Sequence, residues 1–174
     1  EYVNDKGEKK KGYFRYWAPG KVIEQDGRYY LYVTFVKPDE KMGTYVLVAD
    51  RPDGPFRFAE GKGLSVPGTA EADSPAIVPD IDGEPFVDED GKGYIFWRRR
   101  FARLSDDKLH IEGEPVSIKT ARQGYSEGPL MFKRKGIYYY VYTLSGHQNY
   151  ANAYMMSRES PLTGFVKPEG NDIF

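Results

Sequence analysis

The chain contains no cysteine, which excludes disulfides, thiolate metal sites and a cysteine nucleophile, and leaves the redox compartment unmarked. Histidine is nearly as scarce. His110 and His147 are the only two in 174 residues, so a zinc site of the usual ligand set is not supported. No apolar run approaches the roughly 18 residues needed to cross a bilayer. The opening stretch EYVNDKGEKKKG carries a basic cluster with no apolar segment behind it, so no signal peptide is read there. The first residue is not Met, which points to a processed or trimmed start and leaves localisation unknown. Charge of one sign is lacking too: 25 basic and 26 acidic residues give a net charge of −1. Nothing in that balance suggests a grip on nucleic acid or an anionic membrane, and neither is expected as a partner. No glycine loop of the phosphate-cradling kind occurs, and Ser126 has no nearby His to activate it. The acidic stretches DIDGE and DEDGK faintly suggest calcium loops but lack the EF-hand spacing. Asp88, Glu89 and Asp90 read instead as a solvated hairpin turn. No metal and no cofactor is called for.

What the chain has in quantity is aromatic and turn-forming residues: 15 Tyr, 10 Phe and 2 Trp beside 19 Gly and 12 Pro. That mixture favours short strands joined by tight turns over helix bundles. The length suits one domain with a real core.

Three segments can be superposed: APGKVIEQDGRYYLYVTF, GEPFVDEDGKGYIFWR and EGPLMFKRKGIYYYVYTL. Each carries a Pro (Pro19, Pro85, Pro129), a short strand, a turn centred on Gly27, Gly91 or Gly136, and a Tyr-rich strand. Asp-Gly between β-prone runs is a strong hairpin signal, because a type I′ turn needs positive φ; Lys135-Gly136 is a weaker version. Downstream, TYVLVADRPDGPF and NAYMMSRESPLTGF each read as a strand, a turn and an aromatic, and ARLSDDKLHIEGEPVSI takes the equivalent place in the second unit. Gly91 and Gly136 stand 45 residues apart, and Gly27 and Gly91 64 apart with a long insertion between. A four-stranded unit recurring at about 40 to 50 residues is the signature of a β-propeller blade. The units run over about 13–64, 76–120 and 125–168 of a single partial propeller domain. A β-sandwich with incidental hairpins is the alternative from periodicity alone. Because closed propellers need about four to eight blades, three units read as part of a larger ring. No strand is evident before Tyr13.

In a propeller the first strand of each blade lines the central channel, so residues at its start converge. Asp82 stands three residues before Pro85, Glu127 two before Pro129, and Trp17 occupies the corresponding place in the first unit. Two carboxyls and an indole suit sugar hydrolysis. One acid is kept protonated by its neighbour's charge, and the indole face packs on the CH-rich side of a sugar ring. Exposed acids at turns remain the plain alternative.

These residues also resemble a known family. YWAPGKVIEQDGRYYLYVTF, IDGEPFVDEDGKGYIFW and SEGPLMFKRKGIYYYVYT resemble, in order, successive blades of glycoside hydrolase family 43. This family of five-bladed propellers includes β-xylosidases, α-L-arabinofuranosidases and arabinanases. The ending YMMSRESPLTGF is similar to the family's blade ending. The resemblance implies about three blades of a five-bladed propeller, lacking the first and last. It implies that Glu127 is the general acid, Asp82 the carboxylate that modulates its pKa, and Trp17 a residue near the sugar pocket. Where the family usually has Pro after that Asp, this chain has Gly83, which questions local backbone rigidity. Gly20 likewise replaces the polar residue usual after the Trp-Ala-Pro motif. The general base, an Asp on the first blade, is expected upstream of this chain; Asp5, in a Lys/Gly-rich segment, is not a substitute.

The implied reaction is inverting hydrolysis of arabinose- or xylose-containing carbohydrate, with the chain itself a poor catalyst for want of the base. An extracellular or periplasmic place would suit the family. Tyr125, Arg98 and His147 are further candidates to border the sugar pocket, against plain packing for Tyr125 and a solvated edge strand for Arg98-Arg99-Arg100. Open blade faces would favour self-association. A non-catalytic carbohydrate-binding propeller and a purely structural propeller are the alternatives from other functional classes.

Overall fold

The computed structural model describes residues 1–146 and 150–173, and the chain divides into two compact units, Glu1–Gly83 and Glu84–Phe174. The described residues contain no helix, so none is long and apolar enough to cross a membrane. Every sheet is an antiparallel meander of consecutive strands. The all-β class and blade-like meanders expected from the sequence are what is observed.

The first unit opens on a short hairpin that the sequence did not reveal, β1 (Tyr2–Val3) against β2 (Lys9–Lys10). Its turn is organised by Asn4, whose Oδ1 accepts the backbone N–H groups of Lys6 and Glu8. Such side-chain turn chemistry folds a polar stretch without apolar alternation. Four strands follow: β3 (Arg15–Gln25), β4 (Arg28–Val36), β5 (Met42–Ala49) and β6 (Arg57–Phe58), in the spatial order β3-β4-β5-β6. Gln25 pairs with Arg28 around Asp26 and Gly27, whose φ values of 53° and 75° make the type I′ turn read from Asp-Gly. Tyr32 and Val36 of β4 are fully buried. Residues 59–83 contain no strand but are tied down: Asp73 accepts from the Ser65 N–H and Oγ and from the Lys37 ammonium. Thr44 on β5 exchanges backbone bonds with Ile77 and Val78.

The second unit has two sheets. The first comprises β7 (Glu84–Val87), β8 (Gly93–Trp97), β9 (Arg100–Leu104) and β10 (Ile111–Ser117), in the order β10-β9-β8-β7. The second comprises β11 (Leu130–Arg134), β12 (Ile137–Leu144) and β13 (Ala151–Ser157). Along β12 burial alternates strictly, with Tyr138, Tyr140, Tyr142 and Leu144 inward. They join Phe86, Tyr94, Phe96, Phe101, Met131 and Met155 in one core. Phe101 packs edge-on against Tyr140 at a centroid distance of 4.7 Å, a favoured aromatic geometry.

Three local readings change. The Asp90-Gly91 turn is not a two-residue I′ turn, since Val87 pairs with Gly93 across five residues and only Gly91 has positive φ. Lys135-Gly136, the weaker signal, does form one, with φ values of 51° and 73°. The third sheet stops at three strands: Val166 and Ile173 make only isolated bridges, to Met156 and Ala153.

The largest correction concerns DEDGK. Asp88 is not solvated: its side chain is only 8% exposed, with Lys133 Nζ at 2.8 Å and the Tyr138 hydroxyl at 2.5 Å. Desolvation pushes the Asp88 carboxyl up, but the hydrogen bonds from Lys133 and Tyr138 outweigh it and hold its pKa below the ordinary value. Glu89 and Asp90 remain outward.

Candidate active-site residues

Trp17 lies on β3, the edge strand of its sheet. Tyr16 pairs with Phe35 and Pro19 with Val33, so Trp17 and Ala18 together oppose the single residue Thr34. A second shift follows between Pro19 and Val22. Pro19 is tolerated because an edge strand need not donate on its open side. Such two-for-one bulges bend a strand and re-aim its side chains. Trp17 stays 41% exposed, and the Arg15 guanidinium lies 5.8 Å from the centre of its ring.

Asp82 is held at the same point of β4. Its backbone N–H donates to Thr34 Oγ1 at 3.0 Å, and its φ of 57° puts it in the left-handed region. That conformation is uncommon for residues other than Gly, Asn and Asp. The next amide, Gly83 N–H, donates to Thr44 Oγ1 at 2.9 Å, while the Thr44 hydroxyl donates to the Asp80 carbonyl at 2.9 Å. Thr34 and Thr44 are paired across β4 and β5 and both almost wholly buried. A Cβ on Gly83 would lie 2.8 Å from Thr44 Cγ2, and a proline there would have no N–H to give. The corner is therefore fixed by two threonine hydroxyls, which answers the doubt about rigidity. Trp17 and Asp82 are both referred to Thr34, one through a bulge and one through a hydrogen bond.

In the second unit Glu127 sits on the loop into β11 with its side chain exposed. Its backbone is fixed on both sides: Ser126 N–H donates to the Thr143 carbonyl at 2.8 Å, and Thr143 N–H to the Glu127 carbonyl at 3.0 Å. Gly128 follows with a φ of 62°, and a Cβ there would stand 3.2 Å from Thr143 Oγ1. The buried Pro129 then leads into β11.

Tyr125, two residues earlier, forms an isolated bridge with Leu144. Its ring packs on Tyr142 at 5.8 Å, with the Arg99 guanidinium 5.9 Å from its centre. Its neighbour in the core, Tyr140, has a phenol pushed far above its ordinary pKa by burial and then by the Tyr125 hydroxyl. Tyr125 is thus well packed, whatever else it does.

Arg98 and Arg99 form the turn between β8 and β9, since Trp97 pairs with Arg100. Arg98 has a φ of 48°, and its carbonyl accepts the Tyr140 hydroxyl at 2.6 Å. The triplet is therefore a pinned turn with only Arg100 in a strand, which corrects the edge-strand reading. His147 lies outside the described residues. Asp5 is exposed in the turn of the β1–β2 hairpin. Among the described residues no cluster of three or more acidic or imidazole side chains is arranged to hold a metal.

Sequence reasoning missed the Thr34–Thr44 clamp, since threonines in strands read only as β-formers. It also missed the loop anchor at Arg122, whose guanidinium grips the fully buried Asp172 at 2.9 and 2.6 Å. Arg and Asp stand 50 residues apart there, and no local pattern announces the pair.

Comparison with known proteins relates the chain to a family. The profile described as glycosyl hydrolases family 43 matches residues 2–174. The β-D-galactofuranosidase xynD of Aspergillus niger is 31% identical over 163 residues, covering 86% of this chain and 44% of its own length. Among solved structures, a glycoside hydrolase superposes with a TM-score of 0.77 at 44% identity, covering 92% of this chain and 36% of that one. An α-L-arabinofuranosidase of Clostridium thermocellum does so with a TM-score of 0.65 at 27% identity, covering 87% and 50%. The chain thus spans less than half the length of the curated relative.

Proposed function

Because the chain belongs to glycosyl hydrolases family 43, we propose that it carries the acid half of an inverting glycosidase acting on arabinose- or xylose-containing polysaccharides or oligosaccharides. Glu127 is the general acid and Asp82 the carboxylate that assists and orients it; Trp17 packs against the sugar. The observation that carries this reading is the fixed backbone of Glu127. An exposed glutamate is bracketed by two hydrogen bonds to Thr143 and followed by a left-handed glycine. A solvated surface acid has no need of that, whereas a proton donor must be held within hydrogen-bond reach of the leaving oxygen.

In an inverting reaction the base activates water on one face of the sugar while the acid protonates the leaving oxygen on the other. The two carboxyls stand about 6.5 to 9.5 Å apart to admit that water. In this reading Asp82 is the second carboxylate of the pair, and it assists the acid without taking the proton transfer on itself. We assign no general base within residues 1–174. A missing base removes a factor of about 100 to 10,000, so these residues alone turn over slowly.

Arabinofuranosides and xylosides with nitrophenyl and with sugar leaving groups test the assignment. Glu127→Gln lowers kcat by about 100- to 10,000-fold for a sugar leaving group and much less for nitrophenolate, which departs without protonation. Asp82→Asn lowers kcat while sugar binding persists. Full turnover of all substrates by both variants would remove both assignments. A binding-only reading draws on the exposed Trp17. It predicts that Trp17→Ala abolishes sugar binding while Glu127→Gln changes nothing.

A further inference from the structure

Three arginines in a row turn the corner between β8 and β9 and line a solvent-open hollow. We infer that Arg99 and Arg100 form a subsite for the carboxylate of an acidic sugar, so that the preferred substrate carries uronic acid residues. This deepens the proposed function and rests on the reading of Glu127 given there.

The first support is backbone geometry. Position 98 has a φ of 48°, a conformation that glycine adopts without strain and a long side chain does not. The turn is nevertheless locked. The Arg98 carbonyl takes the Tyr140 hydroxyl at 2.6 Å, and the Arg99 carbonyl takes the Ile118 N–H at 2.9 Å. Arg100 is held in register opposite Ser117. The guanidinium stems thus rise from fixed points, which lowers the entropic cost of gripping a ligand.

The second support is the cavity. Arg98, Arg99 and Arg100 line a hollow of about 320 Å³ together with Ser117 and Ile118. That is room for about one sugar ring. Its lining has no acidic residue, although acidic residues outnumber basic ones in the chain as a whole. Among the described residues neither Arg99 nor Arg100 is held in an ion pair. Their donors are open to a planar anion, and guanidinium matches a carboxylate in a two-point fork where an ammonium would not. Ser117 adds a hydroxyl and Ile118 an apolar edge, the mixed lining a sugar ring prefers.

The third support is position. Arg99 lies over the ring of Tyr125 at 5.9 Å, and Tyr125 is two residues from Glu127 on a loop pinned to the end of β12. The arginine turn and the proposed acid therefore share one end of this unit. A uronic acid bound at the turn belongs to the same oligosaccharide whose glycosidic oxygen Glu127 protonates.

The test is calorimetric titration of the 174-residue chain at low and at physiological salt. The ligands are a xylo-oligosaccharide bearing one glucuronic acid branch, the same molecule with its carboxyl reduced to an alcohol, and an oligogalacturonide. The expected result is about tenfold tighter binding of an acidic ligand than of the reduced one, a modest factor because the site is open to solvent. The gap narrows as salt rises. The double variant Arg99→Gln, Arg100→Gln erases the preference and leaves affinity for the reduced ligand unchanged. It alters only exposed side chains, and its circular dichroism checks the fold. Whichever acidic ligand shows the preference identifies the source of the carboxylate. Equal binding of acidic and reduced ligands, no binding of either acidic one, or a preference that survives the double variant overturns the inference. Glu127→Gln keeps the preference. A preference in titration beside unchanged turnover of every substrate by Glu127→Gln removes the proposed function alone, and loss of turnover in Glu127→Gln without any preference removes this subsite alone.

Discussion

At the scale of single residues, the corner at Asp82 shows how a backbone is fixed where the resemblance leads one to expect a proline. Proline fixes a backbone by its ring; here the same place is fixed by one hydroxyl used twice, Thr44 Oγ1 accepting from Gly83 and donating to Asp80. Glycine follows from that choice, because a Cβ would strike Thr44. Thr44→Val keeps the shape and removes both bonds, so the buried Gly83 N–H loses its acceptor and the Asp80 carbonyl loses this donor. The expected loss is about 1 to 3 kcal/mol, read as a fall in the thermal midpoint, and Thr44→Ser restores most of it. Gly83→Pro destabilises at least as much despite resembling the family, since it lacks the N–H and brings the clash. If Gly83→Pro raises the midpoint instead, the clamp is not what holds Asp82.

At the scale of elements, the hairpin between β7 and β8 is tied to the neighbouring sheet by its first acid. Lys133 meets Asp88 at 2.8 Å and Glu89 at 2.9 Å, and lies over the Tyr138 ring at 4.8 Å. Because the folded pKa of Asp88 is depressed, its contribution to stability is complete above the unfolded value of about 3.9. It is lost as pH falls through the lower folded value. Asp88→Asn is expected to cost about 1 to 3 kcal/mol at neutral pH. The gap in thermal midpoint between the two proteins closes below about pH 4. A gap that stays constant down to pH 2 would contradict the ion pair. Asp73 and Asp172, both depressed as well, decline in the same window, so only the difference between the two proteins isolates Asp88. This element also marks the limit of what a sequence displays. The strands, their order and the turns at Gly27 and Gly136 follow from alternation and positive-φ residues, which are local. DEDGK looked like solvated charge because the partners that bury Asp88 lie 45 and 50 residues away. The same holds for Arg122 with Asp172, and for the threonines that hold Asp82. Trp17, Asp82 and Glu127 stood out in the sequence as candidates, while the hydrogen bonds that hold the backbones of the two acids did not.

At the scale of the whole molecule, the chain leaves large apolar side chains in water. Tyr13 and Tyr16 are 79% and 77% exposed, and Phe14 and Trp17 more than 40%. All lie at or just before the start of β3, whose outer edge has no strand beside it among the described residues. An open edge and adjacent aromatics invite pairing with another chain. The two bulges around Pro19 blunt the middle of that edge, so association concentrates at residues 13–17. We expect reversible self-association that grows with concentration and persists at high salt, because the contact is apolar rather than ionic. Sedimentation velocity across a wide concentration range reads it directly. Tyr13→Ser with Tyr16→Ser shifts the distribution toward monomer without lowering the thermal midpoint, since both side chains contribute little to the folded core. Substituting Leu130 and Phe132, the exposed pair on β11, serves as the comparison. If that pair governs association and the tyrosines do not, the sticky face is the last sheet. A chain that stays monomeric throughout would mean that neither face associates.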